Sequence, residues 1–260
     1  MDRTWAVVTG ASGGIGEAIA HRLAGRGHGL VLVARSGDKL DALAAALARG
    51  YGIETRTIAL DLGTRDAADR VAAELAEAGI VPAILVNNAG FGLYGKHADT
   101  ALDDEQAMLD LNIVALTRLT KRLLPGMLAA RRGRIVNVAS TAAFQPGPYM
   151  AVYFATKAYV LSYSEALAEE LDGTGITVTA LCPGPTTSGF QDRAAMHASG
   201  LLKHGTMARA EDVADYALRA MDRGQRVAIH GVANKVMIWS LRFLPRRTVT
   251  KLVASLSKPV

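Results

Sequence analysis

With 260 residues, half of them hydrophobic, and a single cysteine, the chain can bury a large core; its composition excludes a mainly disordered state and an internal disulfide. Its formal charge of +5 is uneven: past Asp222 stand Arg223, Arg226, Lys235, Arg242, Arg246, Arg247, Lys251 and Lys258 with no acidic residue, while the first 222 residues carry 21 basic and 24 acidic groups. A slightly acidic body argues against nucleic acid as a partner, no apolar run reaches the ~18 residues of a membrane span, and no leader is read before the first strand, so a cytoplasmic protein is expected.

The first strand is read at residues 5–9 and runs into Thr9-Gly10-Ala11-Ser12-Gly13-Gly14-Ile15-Gly16, where a helix at 14–26 begins. Glycines permit a sharp turn and close approach to a pyrophosphate, and the free N–H groups of a helix start face the anion. Tight turns also use glycine for conformation alone, but here the run sits between strand and helix, the setting a dinucleotide loop demands. Gly10, Ser12, Gly14, Ile15 and Gly16 are therefore candidate cofactor-binding residues. The second strand, 30–34, ends at Arg35. A carboxylate at that point would bind a ribose 2′-hydroxyl, whereas an arginine suits a 2′-phosphate. NADP(H) is thus preferred over NAD(H), the competing reading being a solvated surface arginine.

A helix at 39–49, a strand at 53–60 and a helix at 64–78 follow, and a strand at 83–87 then ends in Asn87-Asn88-Ala89-Gly90. One long helix is read over 102–130, with Asn112 inside it, a poor place for asparagine by propensity. The strand at 134–139 closes at Ser140, and in the helix at 151–171 Tyr153 and Lys157 stand four apart on one face. Such a pair alone is a weak signal that a surface contact would also satisfy. A strand at 176–181, a helix at 210–223 and a strand at 227–230 complete the alternation. The expected fold is α/β: a Rossmann-like doubly wound parallel sheet of about seven strands with helices on both faces, in one domain. Residues 1–231 would form its dinucleotide-binding catalytic part, and 232–260 a basic amphipathic helical extension that Pro245 splits in two.

Taken together, Thr9-Gly10 with Gly14 and Gly16, Asp61-Leu62, Asn87-Asn88-Ala89-Gly90, Asn112, Ser140, Tyr153, Lys157 and Pro183-Gly184 resemble the short-chain dehydrogenase/reductase family. The likeness runs from residue 5 to about 190, and the stretch 154–171 with Pro183-Gly184-Pro185-Thr186 is most similar to a bacterial subgroup of broadly named oxidoreductases. The resemblance implies Asp61 and Leu62 near adenine and Asn88, Ala89 and Gly90 under the adenine ribose. It further implies Asn112 holding a water beside Lys157, Pro183, Gly184, Thr186 and Ser188 by the nicotinamide amide, and a homodimer or homotetramer. Ser188 replaces the threonine of many relatives and keeps the hydroxyl.

The chemistry expected follows from the residue types. A tyrosine with a pKa of about 10 is a reluctant base, and the Lys157 ammonium with an oxidised nicotinamide would lower it. Ser140 would steady the substrate oxygen while Tyr153 exchanges the proton as hydride moves. Asn112, Ser140, Tyr153 and Lys157 form the candidate catalytic set, the last two also meeting the cofactor. The small-molecule substrate expected is a medium or bulky hydrophobic ketone or aldehyde, or the matching alcohol, held by apolar side chains at 142–150 and 190–202. Two other classes compete: an NADP(H)-binding sensor or scaffold without turnover, and a membrane-surface protein acting through its tail. Basic amphipathic helices at 232–260 can meet an anionic membrane periphery, cap the cleft or pack on a second subunit. Cys182 is expected to be a buried structural thiol, and the six histidines show no ligand spacing, so no metal is expected.

Overall fold

The computed structural model describes residues 4–188, 194 and 207–258. In chain order these form β1 (Trp5–Thr9), α1 (Gly14–Ala24), β2 (Gly29–Ala34), α2 (Gly37–Tyr51), β3 (Thr55–Ala59), α3 (Ala67–Glu77) and β4 (Pro82–Asn87). Next come α4 (Leu102–Leu109), a π-helical turn (Asp110–Ala115), α5 (Leu116–Ala129), β5 (Gly133–Val138), a 3₁₀ turn (Thr141–Phe144), α6 (Ala151–Glu170) and β6 (Ile176–Cys182). The chain then adds the short β7 (Thr186–Thr187) and β8 (Ala208–Arg209), α7 (Ala210–Asp222), β9 (Val227–Ile229), α8 (Val232–Leu241) and α9 (Arg246–Ser257).

Seven strands lie in the order β3-β2-β1-β4-β5-β6-β9, every neighbouring pair parallel. Strands of a parallel sheet are covered on both faces, so an unbroken apolar run such as Leu30-Val31-Leu32-Val33 suits the interior: all of β2 is buried. Side chains alternate between faces with period two. Val8, Leu30, Leu32, Val86 and Leu181 pack under α1, α2 and α7, while Val7, Val31, Val33, Leu85 and Val178 pack under α3, α5 and α6. Register Val7↔Val31 and Val8↔Leu32 aligns these two sets across β1 and β2. The chain begins in mid-sheet, builds outward to β3, then returns to the other side of β1 at β4. At that switch the connections leave in opposite directions and a crevice opens beyond the strand ends.

The fold class expected from the sequence is the one observed, with local differences. The helix read over 102–130 is three pieces, because Asp110–Ala115 winds as a π turn with one extra residue per turn. That widening turns Asn112 inward, where it is 2 % exposed. Pro125 lies within α5, and the strand read at 53–60 shrinks to β3, although Ile53, Ile58 and Leu60 remain buried. Pro245 does separate two helices. One face of the tail lies against the body: Val249 and Val253 join Phe91, Met108, Met150 and Phe154 in a common cluster. The hydroxyl of Tyr94 donates to the Ser257 carbonyl at 2.5 Å, pinning the end of α9.

Candidate active site

A cavity of about 590 Å³ lies beyond the C-terminal ends of β1, β2, β4, β5 and β6. At one side the turn from β1 to α1 supplies Gly10, Ser12, Gly13, Gly14 and Ile15 as wall. Gly10 and Gly14 hold φ of 63° and 58°, a left-handed conformation that side chains resist. No side chain caps α1, which leaves the N–H groups of its first turn for an anion. Gly16 stands outside the wall. A Cβ there would lie 2.4 Å from both the Gly10 carbonyl oxygen and Asn88 Nδ2, so its role is close packing of helix on loop.

The Thr9 hydroxyl ties β1 to β4: it donates to the Val86 carbonyl (3.2 Å) and accepts from the N–H groups of Asn88 (2.9 Å) and Ala89 (3.0 Å). Asn88 Nδ2 in turn donates to the carbonyls of Thr9 (2.9 Å) and Gly10 (3.2 Å), which locks Asn88, Ala89 and Gly90 into the cavity wall. At the end of β2, Arg35 faces the cavity with Ser36, Asp61 and Leu62. Its Nη1 lies 3.9 Å from Asp61 Oδ2, both side chains being about half exposed, so the guanidinium is only loosely held.

The opposite wall carries Ser140, Tyr153 and Lys157. Ser140 lies two residues past β5, and its oxygen accepts from the Ala142 N–H at 3.1 Å, capping the 3₁₀ turn. Tyr153 enters from the first turn of α6, its ring buried and its phenol hydrogen-bonded to Ser140. One turn on, Lys157 is buried too; its Nζ donates to the Val138 carbonyl at 2.8 Å and lies 5.8 Å from the Tyr153 ring centre. Burial raises the Tyr153 phenol to about 12, the Ser140 hydrogen bond opposing it, and burial lowers the Lys157 ammonium to about 8. In the protein alone, removing the phenolate from water dominates; the lowering expected from the sequence needs the oxidised nicotinamide beside the phenol as well as Lys157.

Asn112 lies behind this wall rather than in it. Its Oδ1 accepts from the Phe91 N–H (3.1 Å), and its Nδ2 donates to the Phe91 carbonyl (2.9 Å) and Thr156 Oγ1 (3.1 Å). Thr156 then donates to the Tyr153 carbonyl at 2.7 Å, so Asn112 braces the loop after β4 against α6. Pro183, Gly184, Thr186 and Ser188 follow β6 along the cavity. Cys182, just before them, is fully buried, and burial pushes its thiol up to about 12.

Sequence reasoning missed Ser36, a hydroxyl directly after Arg35, which adjacency alone would have found. It also missed the outer wall: Asn234, Met237, Leu241, Val249, Leu252, Val253 and Leu256, all from α8 and α9. Of the apolar segments expected there, Ala142 and Met150 line the cavity. The stretch 190–202 lies outside the described residues, apart from the buried Ala194.

At the switch point of this parallel sheet a glycine turn faces a buried tyrosine–lysine pair across one cavity. The class this defines is the nicotinamide-dependent oxidoreductases. The chain belongs to the short chain dehydrogenase family, whose model matches residues 4–198. Among curated relatives, a protein of Anas platyrhynchos named very-long-chain 3-oxoacyl-CoA reductase is 39 % identical over 184 residues, covering 69 % of this chain and 58 % of its own length. The chain thus spans little more than half of that relative. Among solved structures, a short-chain dehydrogenase from Sphingobium yanoikuyae in complex with NADPH is 35 % identical with a TM-score of 0.82, covering 92 % of this chain and 94 % of its own. A bulky-bulky ketone specific alcohol dehydrogenase from Comamonas testosteroni is 31 % identical with a TM-score of 0.79, covering 94 % and 93 %.

Proposed function

We propose that the chain is an NADP(H)-dependent oxidoreductase that reduces a ketone carried on a long or bulky apolar body, or oxidises the matching alcohol, with Tyr153 exchanging the proton. The observation that carries this reading is the buried Tyr153 phenol, held by Ser140 and facing the glycine turn across one cavity. The glycine turn and uncapped start of α1 fit a pyrophosphate, Arg35 with Ser36 fits a 2′-phosphate, and the loop after β6 fits a nicotinamide amide. When bound, the cofactor supplies or accepts the hydride.

The remaining chemistry belongs to side chains of the protein. Ser140 Oγ orients the phenol and donates toward the substrate oxygen as charge grows on it. Tyr153, which keeps its proton at neutral pH, acts as the general acid in reduction. Lys157, held under the ring by the Val138 carbonyl, favours the phenolate left behind. Asn112 keeps the floor fixed by holding Phe91 and Thr156.

The curated relative's name moves the expected substrate away from a simple hydrophobic ketone toward the 3-oxo group of a long acyl thioester, itself a ketone with an apolar chain. The apolar wall from Met150, Phe154, Leu241, Val249 and Val253 favours such a chain over a polar sugar. The test follows reduced-cofactor absorbance across 3-oxoacyl thioesters of rising length, a bulky ketone and a keto sugar. Longer or bulkier apolar substrates should give the higher kcat/KM; preference for the sugar sinks the substrate assignment. Tyr153→Phe should lose about 10²–10⁴-fold in kcat while NADPH affinity stays within about threefold, and an active variant refutes the role given to the phenol.

A further inference from the structure

Helix α8 is apolar nearly all round, a pattern that belongs to buried helices, yet Ile238 is its one buried side chain. Val232, Val236 and Trp239 along it are 77 %, 61 % and 61 % exposed, and Phe243 just beyond is 69 % exposed. Eight of the fifteen exposed large hydrophobic side chains among the described residues fall between 232 and 256. Trp239 and Phe243 meet edge to face, with ring centres 4.8 Å apart, on the outside of the protein. An apolar surface of this kind is normally covered by something.

Charge identifies what covers it. Lys235, Arg242, Arg246, Arg247, Lys251 and Lys258 surround these side chains in sequence, all exposed, and no acidic residue occurs after Asp222. None of the six pairs with a carboxylate among the described residues. A second copy of this chain would bring the same unpaired cations against them. An anionic lipid surface instead supplies negative headgroups above an apolar layer, and tryptophan and phenylalanine favour that boundary. Met237, Leu252 and Leu256 are at once exposed and part of the cavity wall, so the cavity opens on this same face.

We infer that α8 and α9 dock this face on an anionic bilayer and present the cavity mouth to substrates dissolved in the lipid. The docking stands on exposure and charge alone; the delivery of substrate rests on the function proposed above. No helix among the described residues is long and apolar enough to cross a membrane, and the contact inferred for α8 and α9 is one that lies on the surface.

Sedimentation of the full chain with vesicles tests it, using phosphatidylcholine with about 30 % phosphatidylglycerol against phosphatidylcholine alone. The protein should pellet with the anionic vesicles only and be released by high salt. Neutralising Arg242→Gln, Arg247→Gln and Lys251→Gln together should weaken binding about a hundredfold. Trp239→Ser with Phe243→Ser should weaken it about tenfold or more. The two variants probe one contact by different chemistry, so a folding fault in either leaves the other decisive. Equal binding to both vesicles, or none to either, overturns the inference. So does a dimer seen by light scattering that Trp239→Ser with Phe243→Ser abolishes, which would assign the face to a second copy. Tyr153→Phe should pellet like the parent protein; because pelleting needs no turnover, loss of catalysis and loss of docking are separate results.

Discussion

Tyr153 and Lys157 titrate in opposite directions for one reason: each neutral form is favoured where water is excluded. Stability must follow. Below about pH 8 both folded and unfolded chains carry the Lys157 proton; from there to 10.5 the unfolded chain alone keeps it, so stability rises by up to about 3 kcal/mol. For Tyr153 the folded chain keeps its proton from 10 to about 12, so stability falls over that range. Cys182, whose thiol folding raises from 9 to about 12, offsets the Lys157 gain above pH 9. Urea midpoints measured against pH should therefore climb between about 8 and 9 and then level off, and Lys157→Met should remove that climb; a climb that survives the substitution contradicts the buried ammonium. At Arg35 the proposed 2′-phosphate contact is a charge-assisted hydrogen bond. Its removal in Arg35→Ala should raise KM for NADPH about ten- to a hundredfold and leave KM for NADH nearly unchanged. Equal losses with both cofactors would remove the arginine from phosphate recognition. The helical spacing of Tyr153 and Lys157 made their pairing legible in the sequence. Their burial was not, because it depends on strands and helices distant in the chain.

At the scale of elements, the turn from β1 into α1 was the most legible part, because its chemistry is local: strand end, glycines and helix start are contiguous. Gly16 shows how tightly that turn is built. In Gly16→Ala the new methyl must meet a backbone oxygen that cannot swing away. Overpacking of this kind costs about 1–3 kcal/mol, expected as a thermal midpoint lowered by about 2–10 °C together with weaker NADPH binding. An unchanged melt would show that helix and loop can part freely. The π turn at Asp110–Ala115 was not legible, since one additional residue per turn barely alters an apolar pattern. The place of α8 and α9 was equally hidden. Three destinations suited a basic amphipathic tail, and the cap over the cleft became visible only with Val249 and Val253 seated beside Phe154.

At the scale of the molecule, the alternation of strands and helices determined the topology, and the order β3-β2-β1-β4-β5-β6-β9 placed every strand-end motif on one edge. That convergence explains why residues as far apart as Gly10, Arg35, Asn88, Ser140 and Gly184 border one cavity. The outer wall was illegible because Asn234 and Leu256 reach it through packing, with no strand end to announce them.

Cys182 turns this architecture into a built-in reporter. It is the chain's only cysteine, sits at the last position of β6 in the sheet interior, and binds its proton too firmly to react. A thiol reagent can therefore label the protein only when the helix layer over it, with Leu116, Val160 and Leu161, lifts from the sheet face. The labelling rate, followed with and without NADPH, gives the opening frequency of that layer. A rate near that of a free thiol in the native protein would contradict the sealed interior described above.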